Sequence, residues 1–208
     1  MSEASEEFFV RFWGVRGSIA TPGPETQKYG GNTASLEVRC GGQALLFDAG
    51  TGIRYMGREL VKEGPLNVDL FLSHSHFDHV CGLPFFIPFF VKGNIFRIWA
   101  GHLSSSGMTL KHVISEMMFS PLFPVPPEIF AARVFYNDFD QGAVLEPHPG
   151  VQVRTVALSH PDNATGYRIN YNNKSICYLT DTQHTPGQPD QNILNPVSYT
   201  HLTLPTKA

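Results

Sequence analysis

The stretch Ser73–Pro84, SHSHFDHVCGLP, places His74, His76, Asp78 and His79 within six residues. It follows the apolar run VDLFL, which indicates a buried strand, so all four side chains leave the end of that strand in one tight turn. Neutral imidazole is a ligand for zinc, and carboxylates suit zinc, manganese or iron. Three histidines and an aspartate at this spacing therefore predict a metal site rather than a solvated histidine-rich loop.

The spacing divides this cluster into two pairs. His74 and His76 lie two residues apart, so they emerge on one side and predict one ion, whereas Asp78 and His79 reach a second position nearby. Two ions about 3.5–4 Å apart can share a bridging hydroxide, which is the arrangement used for in-line displacement at phosphorus. The cluster is therefore compatible with a two-metal hydrolytic centre.

Two later strands offer further ligands. His160 ends the predicted strand VQVRTVALSH, and Asp181 follows the apolar run ICYL. Side chains at the ends of such strands are expected at the same sheet edge as the cluster. An aspartate at a strand end is as often a turn or cap residue, so both roles remain open for Asp181 on position alone.

Composition and charge restrict the class of protein. The 208 residues are 42% hydrophobic and 16% charged, which is typical of a globular chain with one sizeable core. The formal net charge of -3 argues against a broad basic surface for nucleic acid. No apolar stretch reaches membrane-spanning length, the start is acidic, and Cys40, Cys81 and Cys177 are too scattered for a disulfide framework. We therefore expect a cytoplasmic protein without a membrane partner.

The pattern of the chain predicts one layered α/β domain. Strands are predicted at FFVRFWG (8–14), in a hairpin around Gly41-Gly42, and at NVDLFL, IFRIWAG, VQVRTVALSH, TGYRIN and SICYLTDT. Helices are predicted after a Thr51 cap, over residues 85–91, and at GMTLKHVISEMMF. The Gly- and Pro-rich residues 15–32 are predicted to form a long loop.

The order of these motifs resembles that of the metallo-β-lactamase fold. HxHxDH is followed by a histidine with GYR downstream, and then by an aspartate after a buried strand. The opening FWGVRGSIATPGPETQKYGGNTASLEV further resembles the phosphodiesterase branch, near the tRNA 3′-processing endonucleases and the bacterial cyclic-nucleotide phosphodiesterases. The resemblance covers residues 8–190 and implies an α/β fold, a four-layer αββα sandwich. It also implies two divalent ions, zinc or alternatively manganese, and hydrolysis of a small phosphodiester.

The resemblance also assigns roles to particular residues. It implies the first ion on His74, His76 and His160, the second on Asp78 and His79, and Asp181 as the bridge between them. Asp78 would also orient or deprotonate the attacking water. Asp48 in LLFDAG would orient a metal histidine from the second layer, although capping the following helix is equally compatible with its position.

The substrate side is less defined. Arg16, Ser18 and Asn32 lie between glycines in the loop 15–32, where a guanidinium and backbone amides can bind a phosphate oxygen. A purely structural loop remains an equal alternative. The Phe-rich stretch after the cluster would suit a homodimer.

The C-terminus departs from the rest of the chain. VSYTHLTLPT (197–206) resembles the translation of a transposon-end sequencing adapter. We therefore expect a hydrolase domain over residues 1–196, incomplete at its C-terminus, and a non-native tail over residues 197–208. The final second-site histidine of the family then has no native candidate, because His201 lies in the tail and His184 follows Asp181 too closely.

Other functions share the same cluster. Thioesters, lactones and β-lactams are cut by similar sites, and RNA 3′-end processing belongs to the same branch. Diiron redox enzymes of this fold carry Glu at the position of His76, so redox chemistry is disfavoured. A non-catalytic metal-binding homologue is the remaining alternative.

Overall fold

The structure is a computed structural model, and it describes residues 7–184, 186–187 and 190–197. Ten strands and four α-helices are present among these residues. The strands are β1 (Phe8–Gly14), β2 (Ser35–Cys40), β3 (Gln43–Phe47), β4 (Asn67–Leu72), β5 (Ile95–Ala100), β6 (Arg133–Asp138), β7 (Val144–His148), β8 (Val151–Leu158), β9 (Ala164–Tyr171) and β10 (Lys174–Tyr178). The helices are α1 (Ile53–Leu60), α2 (Phe77–Val80), α3 (Leu110–Met117) and α4 (Gln191–Val197).

The strands form two sheets. In the first, β1 to β6 follow one another in chain order, with antiparallel pairing from β1 to β3 and parallel pairing from β3 to β6. In the second, the order is β10-β9-β8-β7 and all pairs are antiparallel. Since β3, β4 and β5 run parallel, their C-terminal ends lie at one edge of the first sheet, which is where ligands are expected in such sheets.

Two apolar layers hold the sheets and helices together. Val68, Leu70 and Leu72 of β4 point to one side, where they join a core with α1 and α3. Phe71 points to the other side and packs between the sheets against Tyr167 of β9, with ring centroids 5.5 Å apart. β4 is covered on both faces, and four of its six residues are apolar. With α4 beside β8, this is the predicted αββα arrangement.

Several sequence predictions of elements are confirmed, and two are wrong. The helix α1 begins after Gly52, not after a Thr51 cap, because the Thr51 hydroxyl accepts from the Thr33 amide at 3.0 Å and donates to Asn32 at 3.1 Å. Residues 85–91 are not one helix. Two short 3₁₀ turns, Leu83–Phe85 and Ile87–Phe90, occupy this region, because Pro84 and Pro88 lack the amide hydrogens of a continuous helix.

The sequence prediction missed β6, β7 and α4. The expected tail over residues 197–208 stays a prediction: α4 includes Val197, and residues 198–208 lie outside the described residues. Within the described part of the chain, no helix is long and apolar enough to cross a membrane.

A buried tyrosine joins the two sheets directly beneath the histidine cluster. The Tyr167 hydroxyl, on β9, donates to the carbonyl oxygen of Leu72 at 2.6 Å, and Tyr167 is fully buried. We expect Tyr167→Phe to lower the free energy of unfolding by about 1–2 kcal/mol, because a buried acceptor loses its donor. Urea denaturation followed by circular dichroism measures this change. Tyr136→Phe is the matched control, since that hydroxyl has no hydrogen bond to any of the described residues. An equal loss in both variants would contradict the prediction.

Candidate metal centre

The histidine cluster is held close to the end of β3 by backbone contacts. The amide of Ala49 donates to the carbonyl oxygen of His79 at 2.7 Å, and the amide of Gly82 donates to that of Ala49 at 2.8 Å. A Cβ at Gly50 would collide with the carbonyl oxygen of Asp78, so only glycine permits this approach. The short helix α2 therefore sits directly on the backbone that follows β3.

The first group of donors comes from both sheets. The ligand atoms of His74, His76 and His160 all lie within 4.8 Å of one another. Nδ1 of His76 is 3.1 Å from Nε2 of His160. His74 is buried, whereas the side chain of His76 is 41% exposed, so this group opens to solvent on the His76 side. These are the three residues that the resemblance implied for the first ion.

The second group of donors shares His74 with the first. The ligand atoms of His74, His79 and Asp181 also lie within 4.8 Å of one another. Nε2 of His79 is 3.1 Å from the Asp181 carboxylate and 3.4 Å from that of Asp78. The structure thus brings all six predicted ligands together, while their assignment to particular ions stays a prediction.

The carboxylate of Asp48 lies beneath the second group and is completely buried. It is 2.8 Å from Nδ1 of His79, and it accepts hydrogen bonds from the Ser73 amide and hydroxyl, both at 2.7 Å, and from the Tyr178 hydroxyl at 2.6 Å. Its contacts are thus with the histidine cluster and β10. The structure places this side chain against His79, and its role in orienting a metal histidine stays a prediction.

The charges of this cluster are strongly coupled. Burial opposes a charge on His79, but the carboxylates of Asp48 and Asp181 outweigh burial and raise the pKa of His79 to about 10. The hydrogen bond from His79 holds the pKa of Asp181 well below its usual range. Burial and the neighbouring His79 lower the pKa of His74 to about 4, so its ring is neutral and able to act as a ligand at neutral pH.

The loop 15–32 reaches the cluster through its backbone. The amide of Ser18, which has a φ of 64°, donates to the Asp78 carboxylate at 2.6 Å. Nε of Arg16 donates to the carbonyl oxygen of Gly30 at 2.9 Å, and Asn32 accepts from Thr51. The loop therefore orients Asp78, and the predicted contacts of Arg16, Ser18 and Asn32 with a phosphate stay predictions.

Sequence comparison identifies the family of this chain. Residues 43–201 match the Beta-lactamase superfamily domain, which is most of the chain. The chain belongs to the β-lactamase superfamily. The sequence prediction of this superfamily is thereby confirmed.

Among curated members of the superfamily, Ribonuclease Z from Halobacterium salinarum is 30% identical over 168 residues, or 77% of this chain and 47% of the relative. The chain spans about half the length of the curated relatives that it matches. Human tRNase Z, short form, has a solved structure with a TM-score of 0.57 and 19% identity, over 86% of this chain and 71% of that one. Zn(2+)-bound PqqB from Methylobacterium extorquens has a TM-score of 0.51 and 16% identity, over 82% and 64%. At these identities the two structures show the shared fold alone.

The donors fit the divalent metal ions of the superfamily. Imidazole nitrogens and carboxylate oxygens are the ligands that such ions take, and here these groups converge from two sheets. Nδ1 of His74 faces the Ser73 hydroxyl at 3.0 Å, which leaves Nε2 of this ring for an ion. Nδ1 of His79 faces Asp48, so Nε2 of His79 would be the ligand atom once metal binding displaces its proton. We conclude that this superfamily member binds divalent metal.

The final histidine of the family is not found among the described residues. His184 is exposed and belongs to neither group of donors, and His201 lies outside the described residues. Of the supporting residues, sequence reasoning missed Ser73 and Tyr178. The serine directly before His74 was a usable signal, but nothing in the sequence links Tyr178 to Asp48 over the 130 positions between them.

One further histidine near this centre has no hydrogen-bond partner. His102 is 2% exposed, and neither of its ring nitrogens has a partner among the described residues. Burial lowers the pKa of His102 to about 4, and His76 adds a smaller effect in the same direction, whereas the charge of Asp48 opposes both. An unpaired buried imidazole lowers stability, because its hydrogen bonds to water are lost on folding.

We therefore expect His102→Leu to raise the free energy of unfolding by about 1 kcal/mol at pH 7. The folded pKa of His102 lies below the unfolded value of 6.5, so its protonation favours the unfolded state and stability falls as the pH drops from 6.5 towards 4. The variant escapes this loss, so its advantage grows by about 3 kcal/mol, to about 4 kcal/mol near pH 4. Urea denaturation between pH 4 and 7 measures the difference. The exposed His112→Leu is the control, and parallel pH profiles of wild type and His102→Leu would contradict the prediction.

Proposed function

We propose that the chain carries the centre of a metal-dependent phosphodiesterase that acts on small phosphodiesters, cyclic nucleotides among them. The observation that carries this proposal is the pair of adjacent donor groups, His74, His76 and His160 beside His74, His79 and Asp181. Two divalent ions held side by side can stabilise both the attacking and the leaving oxygen of an in-line displacement at phosphorus. The similarity to Ribonuclease Z supports the phosphodiester as the bond that is cut.

Zinc is the proposed ion at both positions, with manganese as the alternative. The histidine-rich first group suits zinc, and the carboxylates of the second group suit either ion. When bound, two such ions supply an activated water and neutralise charge on the phosphoryl oxygens.

Asp78 is the proposed proton acceptor for the attacking water. Its carboxylate is buried, 3.4 Å from Nε2 of His79, and it accepts the Ser18 amide at 2.6 Å. The amide holds the carboxylate in one orientation, so a free lone pair can face the water. The loop 15–32 would then contribute to the reaction by orienting the carboxylate of Asp78.

Two features favour a small nucleotide-like substrate. The formal net charge of -3 offers little attraction to a long polyanion. Phe77, the first residue of α2 between His76 and Asp78, is 71% exposed, and an aromatic ring beside the donors can stack on a base. The second candidate is cleavage of RNA 3′ ends, which the name of the Ribonuclease Z relatives favours.

Thioesters and lactones remain the alternative substrates on the same fold, and a non-catalytic metal-binding homologue is the alternative to an enzyme. A cytoplasmic location is proposed from the small number and wide spacing of the cysteines. A homodimer is proposed from the exposed apolar side chains of Phe85, Phe119 and Leu122 in the helical layer.

The test is hydrolysis of bis-p-nitrophenyl phosphate by the purified chain with zinc or manganese. We expect His76→Ala to lower kcat/KM by about 100-fold or more, because removing a ligand removes much of the charge stabilisation. His112→Ala, an exposed histidine outside both donor groups, should leave the rate unchanged. Thioester turnover without phosphodiester turnover would contradict the proposal. If phosphodiester turnover is found, a comparison of cyclic nucleotides with precursor tRNA distinguishes the two candidate substrates.

A further inference from the structure

The turn that follows His160 has an unusual backbone. Asp162 and Asn163 both have positive φ values, 60° and 65°, and the amide of Asn163 donates to the carbonyl oxygen of His160 at 3.1 Å. Asp and Asn tolerate this left-handed region better than other non-glycine residues. The chain therefore folds back over His160 and presents the side chain of Asp162 beside the donor group.

This turn is fixed at both ends. The side-chain amide of Asn163 donates to the Ser105 hydroxyl at 3.1 Å. Shortly after the turn, the amide of Thr165 donates to the carbonyl oxygen of Ser73, the residue that precedes His74, at 2.7 Å. The position of Asp162 is thus tied to the same backbone that places the histidine cluster.

The two nitrogens of the His76 ring face different partners. Nδ1 lies 3.1 Å from Nε2 of His160, inside the first donor group, whereas Nε2 lies 3.5 Å from the Asp162 carboxylate. His79 has the same arrangement with the nitrogens exchanged, since its Nδ1 faces Asp48 and its Nε2 faces the donors. His76 and His79 therefore each have one ring nitrogen that faces other metal-ligand candidates and one that faces a carboxylate outside the two donor groups.

We propose that Asp162 is a positioning residue for the metal centre, which accepts the Nε2 hydrogen of His76 and so presents Nδ1 of that ring as the ligand. A carboxylate on the far nitrogen fixes the tautomer and the orientation of a ligand histidine and raises its basicity. The inference rests on the metal centre of the proposed function, but it does not depend on which bond the centre cuts.

The size of the effect follows from exposure. The side chain of Asp162 is 89% exposed and that of His76 is 41% exposed, so water and salt screen the pair. Buried partners of ligand histidines are worth about 10–100-fold in metal affinity. For this exposed pair we expect about 3–10-fold, decreasing as the salt concentration rises.

The experiment is a competition titration of the metal-free chain with zinc against a chromophoric chelator, together with the visible absorption of the cobalt(II) form. Asp162→Asn keeps the size of the side chain and its tolerance of positive φ, so the turn should persist. We expect the variant to bind the first ion about 3–10-fold more weakly at low salt, with an altered cobalt spectrum. Asp162→Glu, which restores a carboxylate on a longer stem, should recover part of the affinity.

Asp140→Asn is the matched control, because it removes one exposed carboxylate outside both donor groups. Equal affinity of Asp162→Asn and wild type, or an equal loss in Asp140→Asn, would overturn the proposal. A loss far above 100-fold would also overturn it, since Asp162 would then be a ligand itself, and so would a wild-type chain that binds no ion. Weakened binding in Asp162→Asn beside a wild type without phosphodiester turnover would uphold the positioning role while refuting the proposed function.

Discussion

The buried carboxylate of Asp48 is the group on which the rest of this site depends. A completely buried carboxylate is tolerated only when its oxygens accept hydrogen bonds or face a positive charge, and here the three partner residues come from different parts of the fold. Ser73 follows β4, His79 lies in α2, and Tyr178 ends β10 in the other sheet. Stabilising one charge therefore fixes the register of both sheets at the edge where the donors meet.

Around this carboxylate the histidines differ in exposure, and the difference defines a direction. His74 and His79 are buried and are supported from beneath by Ser73 and Asp48. His76 stands at the solvent side, where a turn from the second sheet reaches it. An incoming molecule thus meets the exposed ring first, while the buried rings stay rigid under the protein core. This combination of a rigid base and an open upper side suits a site that must bind and release small molecules.

Much of this arrangement could be predicted from the sequence, because it depends on local patterns. The cluster from His74 to His79 and the apolar pattern of each strand are both local features of a few residues. The superfamily could be predicted from them. The errors came from contacts between distant positions. Thr51 was expected to cap α1, but its hydroxyl is taken by Thr33 and Asn32. The strands β6 and β7 escaped prediction because RVFYND and VLEPH carry polar residues or a proline within short runs. The hydrogen bond from Tyr178 to Asp48 could not be predicted either, because the residues around each of them give no sign of the other.

The sharing of His74 between the two donor groups limits how ions can load. Its Nδ1 faces the Ser73 hydroxyl, so a single nitrogen lone pair remains, and one lone pair cannot bind two ions at once. Whichever ion takes this ring deprives the other position of a donor. The position without this ring would depend on its other donors, which in the second group are His79 and Asp181, with the Asp78 carboxylate 3.4 Å from His79. Asp78 thereby becomes the side chain that decides whether a second ion has enough donors.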